Sequence, residues 1–375
     1  MRSLTVNPTL DLCERDGQLE IVLPHDGFRL PAGAALRDAL DQLRATGDAG
    51  ALLSGEAIRL LCACNVLVPS DHAAILGRGL LAPTPSYLGS RANLADLCVG
   101  RRRAAAAIVG APFDTTAHYE RSPRTGPDAI RRAWSATAAE RDRYVDLGDT
   151  VHHAHDEPLS AAGVRLAQII GSLLRSGTRP IVLGGDHSVS YYAVRAVADA
   201  IGPIGVIQFD AHHDMTPPPS SRPPALDHAT VMSWILADSR VEVMAQVGLR
   251  PWLSAPEDRG WGHRVRRMLS TDPREAIGAT LRALPSHLPY YVTIDMDVLD
   301  ASVAGAVTTP AVDGLGLSQL LEYLSQALCH VRWVAADIVE VCAAGDSQER
   351  SATAACEVIR LLGDRSGSRT SDVPP

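Results

Sequence analysis

A chain of 375 residues is long enough for two ordinary domains or one large domain with an appendage, which excludes a miniature disulfide scaffold. A net charge of −8 at pH 7 has the wrong sign for neutralising phosphates, so nucleic acid is not an expected partner and a small, cationic ligand is. Hydrophobic residues at 46% and charged residues at 21% are the proportions of a soluble globular chain with little room for disorder.

The seven cysteines (Cys13, Cys62, Cys64, Cys98, Cys329, Cys342, Cys356) are odd in number and scattered. They form one CxC pair and no CxxC, and read as reduced packing thiols. No charged start with an apolar h-region opens the chain, and no apolar run reaches the roughly 18 residues of a membrane span. A cytoplasmic protein without a membrane partner is expected.

In chain order, Leu36, Leu40 and Leu43, then Ile58, Leu61 and Val66, recur at helical spacing, with Gly47 and Gly50 between the two runs. Asn65–Pro69 fits a short strand after them. Residues 1–77 are therefore expected to form a small, mainly helical or winged-helix-like module. A connector with Pro83, Pro85 and Gly89 follows over 78–103. Beyond it short apolar runs alternate with helix-sized stretches. The runs Ala104–Val109, Thr178–Leu183, Ile204–Phe209, Val241–Val247, Tyr290–Ile294 and Val331–Ala336 predict strands, and Leu159–Ser176 and Ser318–Leu328 predict helices. Continuous apolar strands separated by helices imply a parallel sheet covered on both faces, an α/β domain over 104–362. Residues 363–375, rich in Ser, Gly and Pro, read as a flexible tail. No internal repeat is present.

Ligands of such sheets gather at the carboxyl ends of the strands, so the residues after each run carry the search for function. Thr178–Leu183 runs into Gly184-Gly185-Asp186-His187-Ser188, whose glycines permit a tight exit. Ile204–Phe209 runs into Asp210-Ala211-His212-His213-Asp214. There Asp210, His212 and Asp214 share a face while the backbone stays extended, and His213 points the other way. Tyr290–Ile294 leads into Asp295-Met296-Asp297-Val298-Leu299-Asp300. Taken alone, His187 would pass for a core or helix-start histidine and Asp300 for a turn residue. Together, four aspartates and two histidines fall at one sheet edge. Several carboxylates in one crevice are costly to bury without cations. Imidazole and carboxylate donors without thiolate suit a borderline-to-hard divalent ion, and there are enough of them for two ions sharing aspartates.

These motifs resemble the ureohydrolase family, which includes arginase, agmatinase, guanidinobutyrase, proclavaminate amidinohydrolase and formimidoylglutamase. The resemblance spans Ala104 to Leu362. It includes Gly110-Ala111-Pro112-Phe113-Asp114, Arg121, Gly126-Pro127-Asp128-Ala129-Ile130-Arg131, Asp146-Leu147-Gly148-Asp149, Gln246-Val247-Gly248-Leu249-Arg250 and Asp337-Ile338-Val339-Glu340-Val341. It implies a three-layer αβα arginase-like fold and a centre of two Mn2+ ions per subunit. By the same resemblance His187, Asp210, Asp214 and Asp295 would hold one ion and His212, Asp210, Asp295 and Asp297 the other. Glu340 would pair with the guanidinium of the substrate, and His228 would carry a proton to the leaving amine. Relatives commonly assemble as trimers or hexamers, so a homo-oligomer is implied.

The chain departs from the family where substrates are chosen. The usual D-P-x-x-A-P-G-T-G-T-P loop is rebuilt as Asp300–Pro310, whose Val303-Ala304 and Thr308-Thr309-Pro310-Ala311 look partly like formimidoylglutamase. Met215–Pro219 does not reproduce the arginase loop that grips an α-amino acid, and Val231-Met232 replaces a common Pro-Phe. The leading expectation is an amidinohydrolase releasing urea from a small or specialised guanidino compound. The alternatives are a formimino hydrolase releasing formamide and a non-catalytic metal-binding homologue.

Overall fold

The computed structural model describes residues 80–366 with short gaps, the longer ones being 115–120, 136–143, 152–158, 216–225, 252–260 and 269–272. Of residues 1–79 it describes mainly the elements named next. The contacts divide the chain into two units, Met1–Leu80 with Asn93–Arg102, and Leu81–Ala92 with Arg103–Pro375.

In the first unit β1 (Leu4–Val6) pairs antiparallel with β5 (Leu67–Pro69), while β2 (Asp11–Arg15), β3 (Gln18–Leu23) and β4 (Phe28–Ala32) form an antiparallel three-stranded sheet. Two of its helices are α1 (Ala34–Thr46) and α2 (Leu94–Cys98). The leucine repeat lies on α1, where Leu40 and Leu43 are fully buried, and the strand expected over 65–69 is β5. The unit thus carries strands beside its helices. Their signal is in the sequence: Leu19, Ile21 and Leu23 alternate with Gln18 and Glu20, and Asp16-Gly17 is a hairpin pair.

The second unit is built on a ten-stranded sheet. Its strands are β6 (Leu81–Ala82), β7 (Ser90–Arg91), β8 (Ala106–Ala111), β9 (Tyr144–Thr150), β10 (Arg179–Gly184), β11 (Ile204–Phe209), β12 (Val241–Val247), β13 (Val265–Arg267), β14 (Pro289–Asp295) and β15 (Arg332–Val339). The lateral order is β13-β12-β11-β14-β15-β10-β8-β9-β6, with β7 also on β9, and every pairing but β6 with β9 is parallel. Each expected strand lies within two or three residues of an observed one. The former connector contributes the edge strands β6 and β7 to this unit and α2 to the other.

The helices are α3 (Gly126–Ala133), α4 (Leu159–Arg175), α5 (Val189–Ile201), α6 (Val231–Ala237), α7 (Pro273–Arg282), α8 (Leu317–His330) and α9 (Arg350–Ser366). They pack in two sets, α4 with α5 and α6, and α3 with α9, α8 and α7, which is the three-layer αβα arrangement. Helix α9 continues through residues 363–366, and the rest of the expected tail lies outside the described residues. Burial explains the apolar strand runs: β8, β11 and β14 are buried at every position.

Two sequence motifs close the far side of this sheet rather than the site. Arg131 on α3 is buried and grips Asp146 with two hydrogen bonds, of 2.9 and 3.0 Å, and reaches Asp149 at 2.5 Å. Asp146 also accepts the Leu88 and Gly148 amides, so the ion pair is fully satisfied. It fastens α3 and the residues after β6 to β9.

Candidate metal centre

Strands β10 and β11 follow one another in sequence but are separated in the sheet by β14 and β15, and such a switch opens a crevice at the carboxyl edge. The exits of all four strands meet there. The β10 exit needs glycine: a Cβ on Gly185 would stand 1.7 Å from the Phe113 carbonyl oxygen. Its backbone is held between neighbours, donating to Ala111 at 2.8 Å and accepting from the Glu340 amide at 2.9 Å. His187 is thereby fixed at the start of α5, fully buried.

The six residues expected as ligands come together. One ligand atom each from His187, Asp210, Asp214 and Asp295 form one compact group, and atoms of Asp210, His212 and Asp297 form a second, all within 4.8 Å of one another in each group. Asp210 belongs to both, while Asp295 falls in the first only. His213 is in neither; its Nδ1 accepts the Met215 amide. Asp300 caps a turn, accepting from Ser302 and Gly314. Asp214 reaches its place through a left-handed backbone, φ 49°, a conformation aspartate tolerates better than most side chains.

The local hydrogen bonds suit a cation. His187 Nε2 lies 2.8 Å from Thr293 Oγ1, and donation there leaves Nδ1 as a lone pair. That Nδ1 stands 2.8, 3.2 and 3.4 Å from oxygens of Asp214, Asp210 and Asp295 and makes no hydrogen bond of good geometry. A lone pair facing three carboxylate oxygens is repulsive unless positive charge lies between them, so the donor set fits a divalent ion. His212 Nδ1 is 2.8 Å from Asp297 Oδ2.

Electrostatics agree. Burial pushes the Asp214 carboxyl up to about 7, with the Asp210 charge adding to it. Asp295 and Asp297 are raised by burial and by their acidic neighbours. Burial pulls His212 down, but Asp210 and Asp297 outweigh it and lift it to about 12. Asp210 is the exception: burial would raise it, and His187 and His212 bring it below the usual range. In the absence of ions the cluster makes up its charge with protons.

Glu340 follows β15 with φ 67°, an uncommon conformation for this side chain and one often kept at functional sites. Its Oε1 accepts the His187 amide at 2.6 Å, and Oε2 is buried beside Thr308 without a hydrogen bond of ordinary geometry. Burial, with Asp186, raises this carboxyl to about 8. His228 lies in the turn 227–230 before α6, outside both ligand groups. The Met232 amide ties this turn to the Asp214 carbonyl at 3.0 Å.

Three side chains support the site in roles that no motif assigned: Arg250 and Asp337 lie inside motifs of the resemblance, and Thr293 inside a strand run. Thr293 sets the His187 ring. Asp337, buried on β15, accepts from Ser190 at 2.6 Å and Tyr291 at 2.7 Å behind that ring. Arg250 is buried and donates to the carbonyls of Gly248, Asp297 and Val312 at 2.8 to 2.9 Å, clamping the β14 exit. Thr293 and Asp337 are polar residues inside otherwise apolar strand runs, and that was their signal.

A profile of the arginase family matches residues 104–363. An agmatinase of Chromobacterium violaceum is 30% identical over 286 residues, 69% of this chain and 84% of the relative. A formimidoylglutamase of Halalkalibacterium halodurans is 30% identical over 283 residues, covering 69% and 86%. Among solved structures, proclavaminate amidino hydrolase from Streptomyces clavuligerus superposes with a TM-score of 0.62 at 26% identity, over 76% of this chain and 97% of that one. The chain belongs to the arginase family. It is a hydrolase acting on C–N bonds of amidines, with a buried His and Asp cluster able to hold metal. No helix among the described residues is long and apolar enough to cross a membrane.

Proposed function

We propose that the protein is a two-manganese amidinohydrolase that cleaves a small or specialised guanidino compound to urea and an amine. The observation that carries this reading is the pair of ligand groups sharing Asp210, with the buried Glu340 carboxylate against His187. In this reading His187, Asp210, Asp214 and Asp295 would hold one ion and Asp210, His212 and Asp297 the other. Once bound, the ions would supply a water ionised near neutral pH and positive charge beside the scissile carbon.

The chain's own residues do the rest. Glu340 Oε2 binds the N–H groups of the cationic amidine and orients its trigonal carbon toward the ligand groups. The buried strand exits keep bulk water from that pair and strengthen it. His228 passes a proton given up by the water to the departing nitrogen, so water and the cationic amidine become urea and a protonated amine. The family setting supports a cytoplasmic trimer or hexamer, which light scattering of the purified protein would test.

A formimino hydrolase releasing formamide is the second reading. It is favoured by the Halalkalibacterium halodurans relative and by the rebuilt Asp300–Pro310 loop. Metal analysis with a product screen decides. Agmatine, 4-guanidinobutyrate, arginine, arginine-containing peptides and formiminoglutamate are supplied, and urea and formamide are measured. Urea with bound manganese is the expected result; formamide alone selects the second reading, and a protein binding no metal overturns both.

A further inference from the structure

Three polar side chains stand abreast across the sheet beside the ligand groups. Gln208 on β11 is the register partner of Gln246 on β12, which is in turn the partner of Arg267 on β13. Lateral partners in a parallel sheet place their side chains on one face. Gln208 and Gln246 are fully buried, where an amide without partners is destabilising, and Arg267 is half-buried.

Their hydrogen bonds run in one direction. Arg267 Nε donates to Gln246 Oε1 at 3.0 Å, and because a guanidinium only donates, this contact fixes which way the Gln246 amide faces. Gln246 Nε2 then donates to Gln208 Oε1 at 2.8 Å and to the His213 carbonyl at 3.0 Å. Gln208 Nε2 donates in turn to Asp210 Oδ2 at 2.7 Å and to the His212 carbonyl at 3.2 Å. The other Asp210 oxygen, Oδ1, accepts the His212 amide at 2.6 Å.

Each carboxylate oxygen offers two lone pairs, so these bonds occupy one on each oxygen and leave one on each. Oδ2 is the oxygen that faces His187, at 3.2 Å, and Oδ1 the one on the side of His212, at 3.7 Å. The carboxylate plane is pinned with one open lone pair toward each ligand group. We propose that Gln208, Gln246 and Arg267 are positioning residues that hold Asp210 as the ligand common to both groups. Metal affinity thereby depends on a guanidinium two strands away. The inference rests on the metal-centre reading above.

The test is titration of metal-stripped protein with Co2+ alone, followed by calorimetry and by visible absorption, which reports coordination geometry. Wild type is expected to take up Co2+, and Gln208→Leu to bind it about 10- to 100-fold more weakly with a changed spectrum. Arg267→Met should weaken binding about threefold, and Arg267→Lys, which keeps a donor to Gln246, should restore it. Wild-type affinity and spectrum in both Gln208→Leu and Arg267→Met would overturn the relay while leaving the metal centre standing. Equal losses in Arg267→Met and Arg267→Lys would overturn it too. If Gln208→Leu does not fold, the Arg267 pair decides. Failure of wild type to bind Co2+ would overturn the metal centre and the relay together.

Discussion

Two buried acidic clusters sit on one sheet and end in opposite conditions. At β9, Asp146 and Asp149 meet the Arg131 guanidinium, and backbone amides take the remaining lone pairs of Asp146. At the β11 and β14 exits, the ion-pair partners of Asp210, Asp214, Asp295 and Asp297 among the described residues are His187 and His212, and Glu340 adds a fifth carboxyl. In the first cluster Arg131 offsets the buried Asp146 from within the chain, Asp149 keeps part of its surface in solvent, and the group serves as a fastener. The second falls further short of positive charge, five carboxyls against two imidazoles, and that shortfall is what the proposed cations and cationic substrate would make up.

The sharpest way to break the comparison is to remove one charged group from each cluster. Asp295→Asn should weaken metal binding at least about 100-fold and reduce hydrolysis to background while the metal-free protein melts at or above the wild-type temperature, because burial and the neighbouring Asp297 and Asp210 disfavour a charge at this position. Arg131→Ala should do the reverse, lowering stability by about 3–5 kcal/mol in denaturant titrations and leaving the metal affinity of the folded fraction unchanged. Equal effects of both substitutions on stability would erase the distinction.

Smaller effects sharpen it within the site. His228→Asn should lower kcat about 10²- to 10⁴-fold with little change in metal content, measured on whichever substrate the product screen identifies. Glu340→Gln should raise KM about 10- to 100-fold, because a neutral amide loses its charge-assisted bonds to the amidine. The smallest change is expected from pH. The raised carboxyls of Asp214 and Glu340, at about 7 and about 8, contribute stability to the metal-free protein that is present at low pH and lost as pH rises through those values. Protons and ions compete for these sites, so manganese affinity should climb between about pH 6 and 8 and its stabilising increment with it. Melting curves with and without manganese across that range would show the gap widening; a constant gap would mean that the acids carry no protons to displace.

Legibility in the sequence followed the range of the physics. Apolar runs bounded by turn residues reported the central strands, and the acids and histidines crowded after them reported the candidate ligands, although the exits are not extended as expected: Asp214 is left-handed and Met296–Val298 is a 3-10 helix. Both signals are local, and the candidate ligands were therefore readable from Gly184-Gly185-Asp186-His187-Ser188, Asp210-Ala211-His212-His213-Asp214 and Asp295-Met296-Asp297. The hairpin over β2 and β3 is equally local, signalled by alternation around Asp16-Gly17.

What the sequence by itself determined is which chemistry the chain carries, because donor types and their spacing along one strand are set by covalent order and backbone geometry. Only the tertiary structure decided how that chemistry is arranged. It inserted β14 and β15 between β10 and β11, bent Glu340 into a left-handed conformation against His187, matched Arg131 to Asp146, and aligned Gln208, Gln246 and Arg267 in register. Those pairings join residues far apart in the chain, and no periodicity encodes them; they follow from which strands can be neighbours once every apolar face is covered.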